Sequence, residues 1–128
     1  MPRRPLTDRD IDSYLQDIPT YRGVYMRNNL PAKPYVNECA VVNLDHVQGH
    51  GTHWVCYKKQ NSNVTYFDSY GDLPPPLELT RYFKGCNIKY NYDRFQDFNS
   101  FWCGHLCVLF LHNLIKVKRY VYYTHVVR

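Results

Sequence analysis

Apolar positions along this chain fall into distinct spacings, and each spacing predicts a different element. Ile11, Tyr14, Leu15 and Ile18 recur at helical intervals behind Thr7-Asp8-Arg9-Asp10, a capping sequence. A short helix is therefore expected there, stopping at Pro19. Ala40-Val41-Val42-Asn43-Leu44 and His53-Trp54-Val55-Cys56-Tyr57 are compact runs of β-branched and aromatic residues and read as buried strands. Asn43, at the end of the first, has the residue type of a turn cap. Between the two runs lies the glycine-rich turn Gln48-Gly49-His50-Gly51-Thr52. Asn61-Ser62-Asn63 makes a hairpin-like link into Val64-Thr65-Tyr66-Phe67-Asp68, and Asn87 to Tyr92 is a further candidate strand.

The strongest helical signal runs from Cys103 to about Ile115. Leu106, Cys107, Phe110, Leu111 and Leu114 recur at helical spacing with few polar positions between them, which predicts a central, largely buried helix. Ser100 stands where an N-cap is expected and puts Cys103 in the first turn. Pro74-Pro75-Pro76 fits the first turn of another helix through Tyr82 and Phe83, closing near Gly85. Residues 19 to 38 hold Pro19, Pro31 and Pro34 and read as a loop-rich crossing segment. Tyr120 to Val127 is β-rich in composition, without a place assigned to it. No repeat or low-complexity linker divides the chain, so residues 1–128 are expected to form one α+β domain.

Composition narrows the function classes. At 128 residues, 45% apolar and 21% charged, the chain has the balance of an ordinary globular domain. No stretch approaches the roughly 20 apolar residues of a membrane span. The start, Met1-Pro-Arg-Arg-Pro, leads into Leu6-Thr7-Asp8 rather than an apolar signal core, so an unsecreted, intracellular protein is expected. Five cysteines, Cys39, Cys56, Cys86, Cys103 and Cys107, have no framework spacing and read as free thiols. The formal charge of +5 is uneven, because Lys116, Lys118, Arg119 and Arg128 follow the last acidic residue, Asp97. Such a basic C-terminal segment suits DNA or an acidic partner, or is a solvated face.

The candidate chemistry centres on Cys103. A thiol nucleophile needs a lowered pKa, a base and donors for an oxyanion. The start of a helix supplies the first through its dipole. His53 is the candidate base. Asp68 follows fifteen positions later at the far end of the next strand, where antiparallel pairing would bring the two together. A carboxylate on the imidazole favours imidazolium and so the thiolate. Gln96, seven residues before Cys103, offers an amide donor if the intervening loop folds back. Trp54 is placed to pack over the His. Each residue alone also fits an ordinary structural role.

Gly51-Thr52-His53-Trp54-Val55, Tyr66-Phe67-Asp68-Ser69-Tyr70-Gly71, and Gln96 six residues ahead of Cys103-Gly104-His105-Leu106-Cys107 together resemble the adenovirus-type (adenain-like) cysteine proteases and the ubiquitin-like-protein proteases that share their fold. Those families order His, Asp or Glu, Gln and Cys, with Trp after the His and Gly after the Cys. Glu38-Cys39-Ala40-Val41-Val42-Asn43-Leu44-Asp45 is similar in wording to proteases of polinton/maverick elements and related animal DNA viruses. The likeness runs from about Pro31 to Leu114. It implies a central, mostly antiparallel sheet with the Cys helix packed against it, and a catalytic set of His53, Asp68, Gln96 and Cys103. It also implies cleavage of capsid or core precursors after small residues such as Gly-Gly, an activating peptide or DNA as cofactor, and a place in the host nucleus or virion.

Three rival readings compete. His46, His50 and His53 with Cys103 and Cys107 could hold zinc, but their spacing is irregular and there is no CxxC pair. An isopeptidase that removes ubiquitin-like modifiers would use the same catalytic set. A binding module could stack single-stranded nucleic acid on some of the thirteen tyrosines, but that leaves the ordered His, Asp, Gln and Cys unexplained.

Overall fold

A computed structural model describes residues 1–45, 53–97 and 100–124. The elements run α1 (Asp8–Leu15), β1 (Tyr21–Met26), β2 (Asn37–Asn43), β3 (Trp54–Gln60), β4 (Asn63–Phe67), α2 (Leu77–Tyr82), β5 (Asn87–Asn91), α3 (Cys103–Leu111) and β6 (Tyr120–Tyr122). The six strands form one mixed sheet in sequence order. β1/β2 and β4/β5 are parallel, and the other three pairings are antiparallel. No helix among the described residues is long and apolar enough to cross a membrane.

The central strands are apolar on both faces because helices cover both. Cys39, Val41, Cys56 and Phe67 point to the α1/α3 side, where they meet Ile11, Leu15, Cys107, Phe110 and Leu111. Ala40, Val42, Val55, Tyr57, Val64 and Tyr66 point the other way, onto Leu79 and Phe83 around α2. Two-sided burial makes β2 and β3 continuous apolar runs rather than alternating ones, and α3 lies across β3.

Several boundaries differ from the sequence expectation. The segment read as loop contains β1, an edge strand whose register slips between Tyr21 and Gly23. Gly23 has φ +145, a conformation that L side chains rarely adopt. α1 stops at Leu15, short of Ile18, although its start carries the predicted capping box between Thr7 and Asp10. α2 begins after the proline run, with Pro76 as its N-cap. α3 ends at Leu111 rather than Ile115, because Asn113 takes the left-handed conformation at φ 62. Asn113 N–H then bonds to Phe110 O at 3.0 Å and Leu114 N–H to Leu109 O at 2.8 Å, a Schellman closure. Ser100 is not the N-cap of α3; Trp102 holds that position without a side-chain cap bond. The unplaced C-terminal segment supplies β6, antiparallel to β5, and residues 125–128, including Arg128, lie outside the described residues.

Candidate functional site

His53 directly precedes β3 and Asp68 directly follows β4. The antiparallel register sets Cys56 opposite Phe67, so the entrance of one strand meets the exit of the other. His53 Nε2 lies 2.8 Å from Asp68 Oδ1, with side-chain exposures of 12% and 3%. Asp68 is held from behind: its backbone N–H donates to Asn91 Oδ1 at 2.9 Å, and Asn91 Nδ2 donates to Asp68 O at 2.7 Å. Asn91, buried on β5, thus fixes a carboxylate that it does not touch through the side chain.

Cys103 opens α3, where the helix dipole favours a thiolate. With Nε2 committed to Asp68, Nδ1 of His53 is the ring nitrogen available to the thiol; it is buried and has no hydrogen bond of ordinary geometry. Burial disfavours the charged imidazolium, but the hydrogen bond to Asp68 and the nearness of Cys103 outweigh it and push the His53 pKa up to about 9. Burial likewise opposes the Cys103 thiolate. His53, the backbone N–H groups of Trp54 and Gly104, and the imidazolium charge outweigh that burial, so the thiol sits below its ordinary range. The two shifts run in opposite directions, as an ion pair requires.

Gln96 is buried beside this group. Its Oε1 accepts from the buried Ser69 hydroxyl. Its Nε2 donates to Ser100 Oγ at 2.7 Å and weakly to Ser100 O at 3.3 Å. Ser100, expected as a helix cap, therefore serves the Gln96 amide instead. The structure brings His53, Asp68 and Cys103 together and places Gln96 on the adjoining segment, with its amide turned to Ser69 and Ser100. A cavity of about 620 Å³ opens on that side, lined by Arg3, Phe95, Gln96, Trp102, His105 and Leu109 among others.

One reading of a neighbour changes. Trp54 does not cover the His; its indole N–H donates to Leu6 O at 3.1 Å, and its ring lies against Gly104. A Cβ on Gly104 would stand 3.1 Å from Leu6 Cβ and 3.2 Å from Trp54 Cδ1, so this glycine lets the start of α3 pack closely on those residues. The ring over the imidazole is Tyr70, at 4.3 Å between centroids and 11° between planes. Ser69, Tyr70 and Asn91 are the residues that sequence reasoning missed. The first two sit inside the Asp68 block, and only their position in that motif could have signalled them.

Cys107 is fully buried in the core, its thiol pushed well up by burial and by neighbouring Cys56. All five cysteines are unpaired. His46 and His50 lie outside the described residues, among which no three His, Cys, Asp or Glu side chains gather as a metal site.

No protein-family profile matches the chain, and no curated protein matches it at a significant level. Among solved structures it is similar to the SUMO protease Ulp1 with the catalytic cysteine oxidised to a sulfinic acid. The TM-score is 0.56 at 15% identity, covering 88% of this chain and 68% of the other. That likeness is one of fold: an α+β domain of the Ulp1 protease type.

Proposed function

We propose that the protein is a cysteine peptidase with Cys103 as nucleophile, His53 as its base, Asp68 as the group that orients the imidazole and Gln96 as an oxyanion donor. One observation carries the reading: the thiol at the head of α3 and the imidazole clamped by Asp68 favour opposite charges at the same place. The Cys103 thiolate attacks the scissile carbonyl carbon, and the negative charge moves to its oxygen. The first N–H of Gln96 Nε2 bonds to Ser100 Oγ; the second, near the weak acceptor Ser100 O, is the one a substrate oxyanion would take. As the intermediate collapses, the C–N bond breaks and the amine leaves with the imidazolium proton, giving a thioester. Neutral His53 then takes a proton from water, whose hydroxide displaces the thiolate and releases the acid.

The resemblance in the motif blocks supports a polypeptide precursor as substrate, cut after small residues such as Gly-Gly, with capsid maturation as the setting. A second reading has one observation in its favour, the fold likeness to a SUMO protease: removal of a ubiquitin-like modifier by the same groups. Exposed Lys116, Lys118 and Arg119 support DNA as a partner; cleavage that rises with added DNA at low salt, and not at high salt, is the expected sign.

The test is mass spectrometry after exposure to a Gly-Gly vinyl sulfone, with iodoacetamide as control. A single adduct on Cys103, lost in Cys103→Ala and weakened in His53→Ala, is expected. Equal labelling of all five cysteines would overturn the peptidase reading. Cleavage of a linear Gly-Gly peptide separates endopeptidase from modifier removal, which requires the folded modifier.

A further inference from the structure

α3 covers only part of the sheet face on which it packs. It lies over Val41, Cys56 and Phe67 and stops at Leu111, leaving the face open beyond its C-terminal end. Strand register arranges the side chains of this open part in two lines, both on the Cys56 side because alternate residues of a strand share a face. One line runs Lys58, Thr65, Lys89 and Tyr122 from β3 to β6. The other, at the rim, runs Asn37, Gln60, Asn63 and Asn87 from β2 to β5, four exposed amides side by side. A cavity of about 320 Å³ borders Lys58 and Gln60 next to Leu111 and Asn113, and one of about 350 Å³ borders the same two residues next to Lys89 and Tyr122. Shared residues join them into one trough across the strands. Its charge is positive. Lys58 Nζ donates to Asn113 Oδ1 and lies 4.6 Å from the centre of the Phe110 ring, and Lys89 Nζ lies 4.4 Å from that of Tyr120. Among the described residues neither lysine has a carboxylate within ion-pair distance. The one acid lining the trough, Glu38, is taken up by Arg22, Tyr35, Tyr57 and Tyr82. Burial lowers the Lys58 pKa, so a carboxylate brought to it would restore what lost hydration removes.

We infer that this trough is a docking site for an extended, acidic polypeptide segment, with carboxylates on Lys58 and Lys89 and backbone along the line of amides. Lys58 and Lys89 stand two strand spacings apart, about 10 Å, which three residues of extended chain also span. An amide side chain both donates and accepts, as a peptide group does, so a row of four matches a polypeptide backbone. A nucleic-acid strand carries a phosphate at every nucleotide, a density that two lysines among neutral amides do not meet. Tyr122, 73% exposed at the end of the lysine line, offers an apolar contact beside the charges. The trough stands apart from Cys103 by the nine residues of α3, about 13 Å, and the inference does not depend on the peptidase reading. Within that reading it is an exosite that holds a precursor at a distance from its scissile bond.

The probe is a short fluorescein-labelled peptide of alternating Asp and Ala, which contains no Gly-Gly and so can be mixed with the wild-type protein. Fluorescence anisotropy at low salt should show saturable binding, and the same peptide with Asn for every Asp should not bind. Lys58→Ala and Lys89→Ala should each weaken the Asp peptide about threefold to fivefold, and together about tenfold. Lys116→Ala with Lys118→Ala removes equal charge from the basic segment and should leave affinity within about twofold of wild type. Equal losses in the two double variants would reduce the effect to net charge and overturn the inference. Binding of the Asn peptide as tightly as the Asp peptide overturns it too. A single-stranded oligodeoxynucleotide that binds more tightly than the peptide, and loses that affinity with Lys58 and Lys89, would make the trough a nucleic-acid site instead. If Lys58→Ala does not fold, the wild-type protein still decides by NMR. The peptide should move the side-chain amide resonances of Asn37, Gln60, Asn63 and Asn87, and shifts confined to other residues overturn the inference. None of these readouts involves Cys103, so failure of the docking site leaves the peptidase reading standing, and an unreactive Cys103 leaves the docking site standing.

Discussion

Asp68 and Glu38 are both buried carboxylates on this sheet, 2% and 1% exposed, yet their surroundings make them opposites. Glu38, near the start of β2, is closed on itself. It accepts from Arg22 at 3.0 Å, from the hydroxyls of Tyr57 and Tyr82, and from the backbone of Tyr35. Arg22 also reaches Lys33 O and Tyr82 and lies over the Tyr35 ring. Its cation does not titrate, and burial together with Glu38 pushes both phenols well above their usual range. Asp68 faces a titratable ring whose second nitrogen has no acceptor of its own and stands beside a thiol. A completed network ties β1, β2, β3 and α2 together; an incomplete one leaves a proton free to move. What separates scaffold from site is therefore the unfilled bond on the partner, not the buried charge.

The largest effect should come from the nucleophile. Cys103→Ala is expected to remove peptide hydrolysis by on the order of a million-fold while leaving the far-UV spectrum of the fold unchanged. Glu38→Ala should do the reverse. Taking one member from a buried ion pair strands Arg22, which costs about 3–5 kcal/mol, so the melting temperature falls. Below that temperature Cys103 should still alkylate at the wild-type rate. A Glu38 variant with normal stability and a slow thiol would break the contrast.

Sequence patterning exposed the parts of this contrast that depend on local residue type. β2, β3 and β4 were legible because two-sided burial demands continuous apolar runs, and α1 was legible at its start because Thr7 and Asp10 close a capping box. The family resemblance of the motif blocks, more than spacing alone, pointed to His53, Asp68, Gln96 and Cys103 as a set, and the fold brings His53, Asp68 and Cys103 together. β1 was hidden because its stability comes from pairing with β2, while Gly23 and the bulge beside it erase alternation. The end of α3 was hidden because Asn113, not a glycine, takes the left-handed position. Tyr70 and Ser69 were illegible as site residues: their roles arise from where a tight turn aims them, which no periodicity encodes.

Gln96 sharpens the comparison within the site itself. If its amide serves the oxyanion, Gln96→Ala should lower kcat by about 10²- to 10³-fold. It should leave Cys103 alkylation untouched, since that reaction develops no oxyanion. Ser69→Ala, which frees the amide to flip, should reproduce part of the kcat loss and add little to Gln96→Ala. A matching loss in the alkylation rate would mean that Gln96 supports the thiol instead.

The smallest effect expected is on stability, and its sign can be worked out. The raised His53 pKa contributes stability that is complete below its ordinary value of 6.5 and is lost as pH rises through about 9. The lowered Cys103 pKa contributes stability that is present above its ordinary 9.0 and is lost as pH falls through its lowered value. Above the lowered Cys103 value and below about 9 the folded pair holds one proton, on the imidazole, while the unfolded chain between 6.5 and 9.0 holds one on the thiol. The proton counts match, so the pair should leave unfolding free energy nearly flat across that window. Cys103→Ala removes the thiol's half of the balance. Its stability relative to wild type should therefore decline as pH rises from 6.5 to 9, by about 1 kcal/mol or more for each unit by which Asp68 alone still raises His53. Chemical denaturation of both proteins at three pH values measures the difference. Parallel curves would mean that thiol and imidazole do not share the proton in the folded protein, and that the site is no less closed than the one around Glu38.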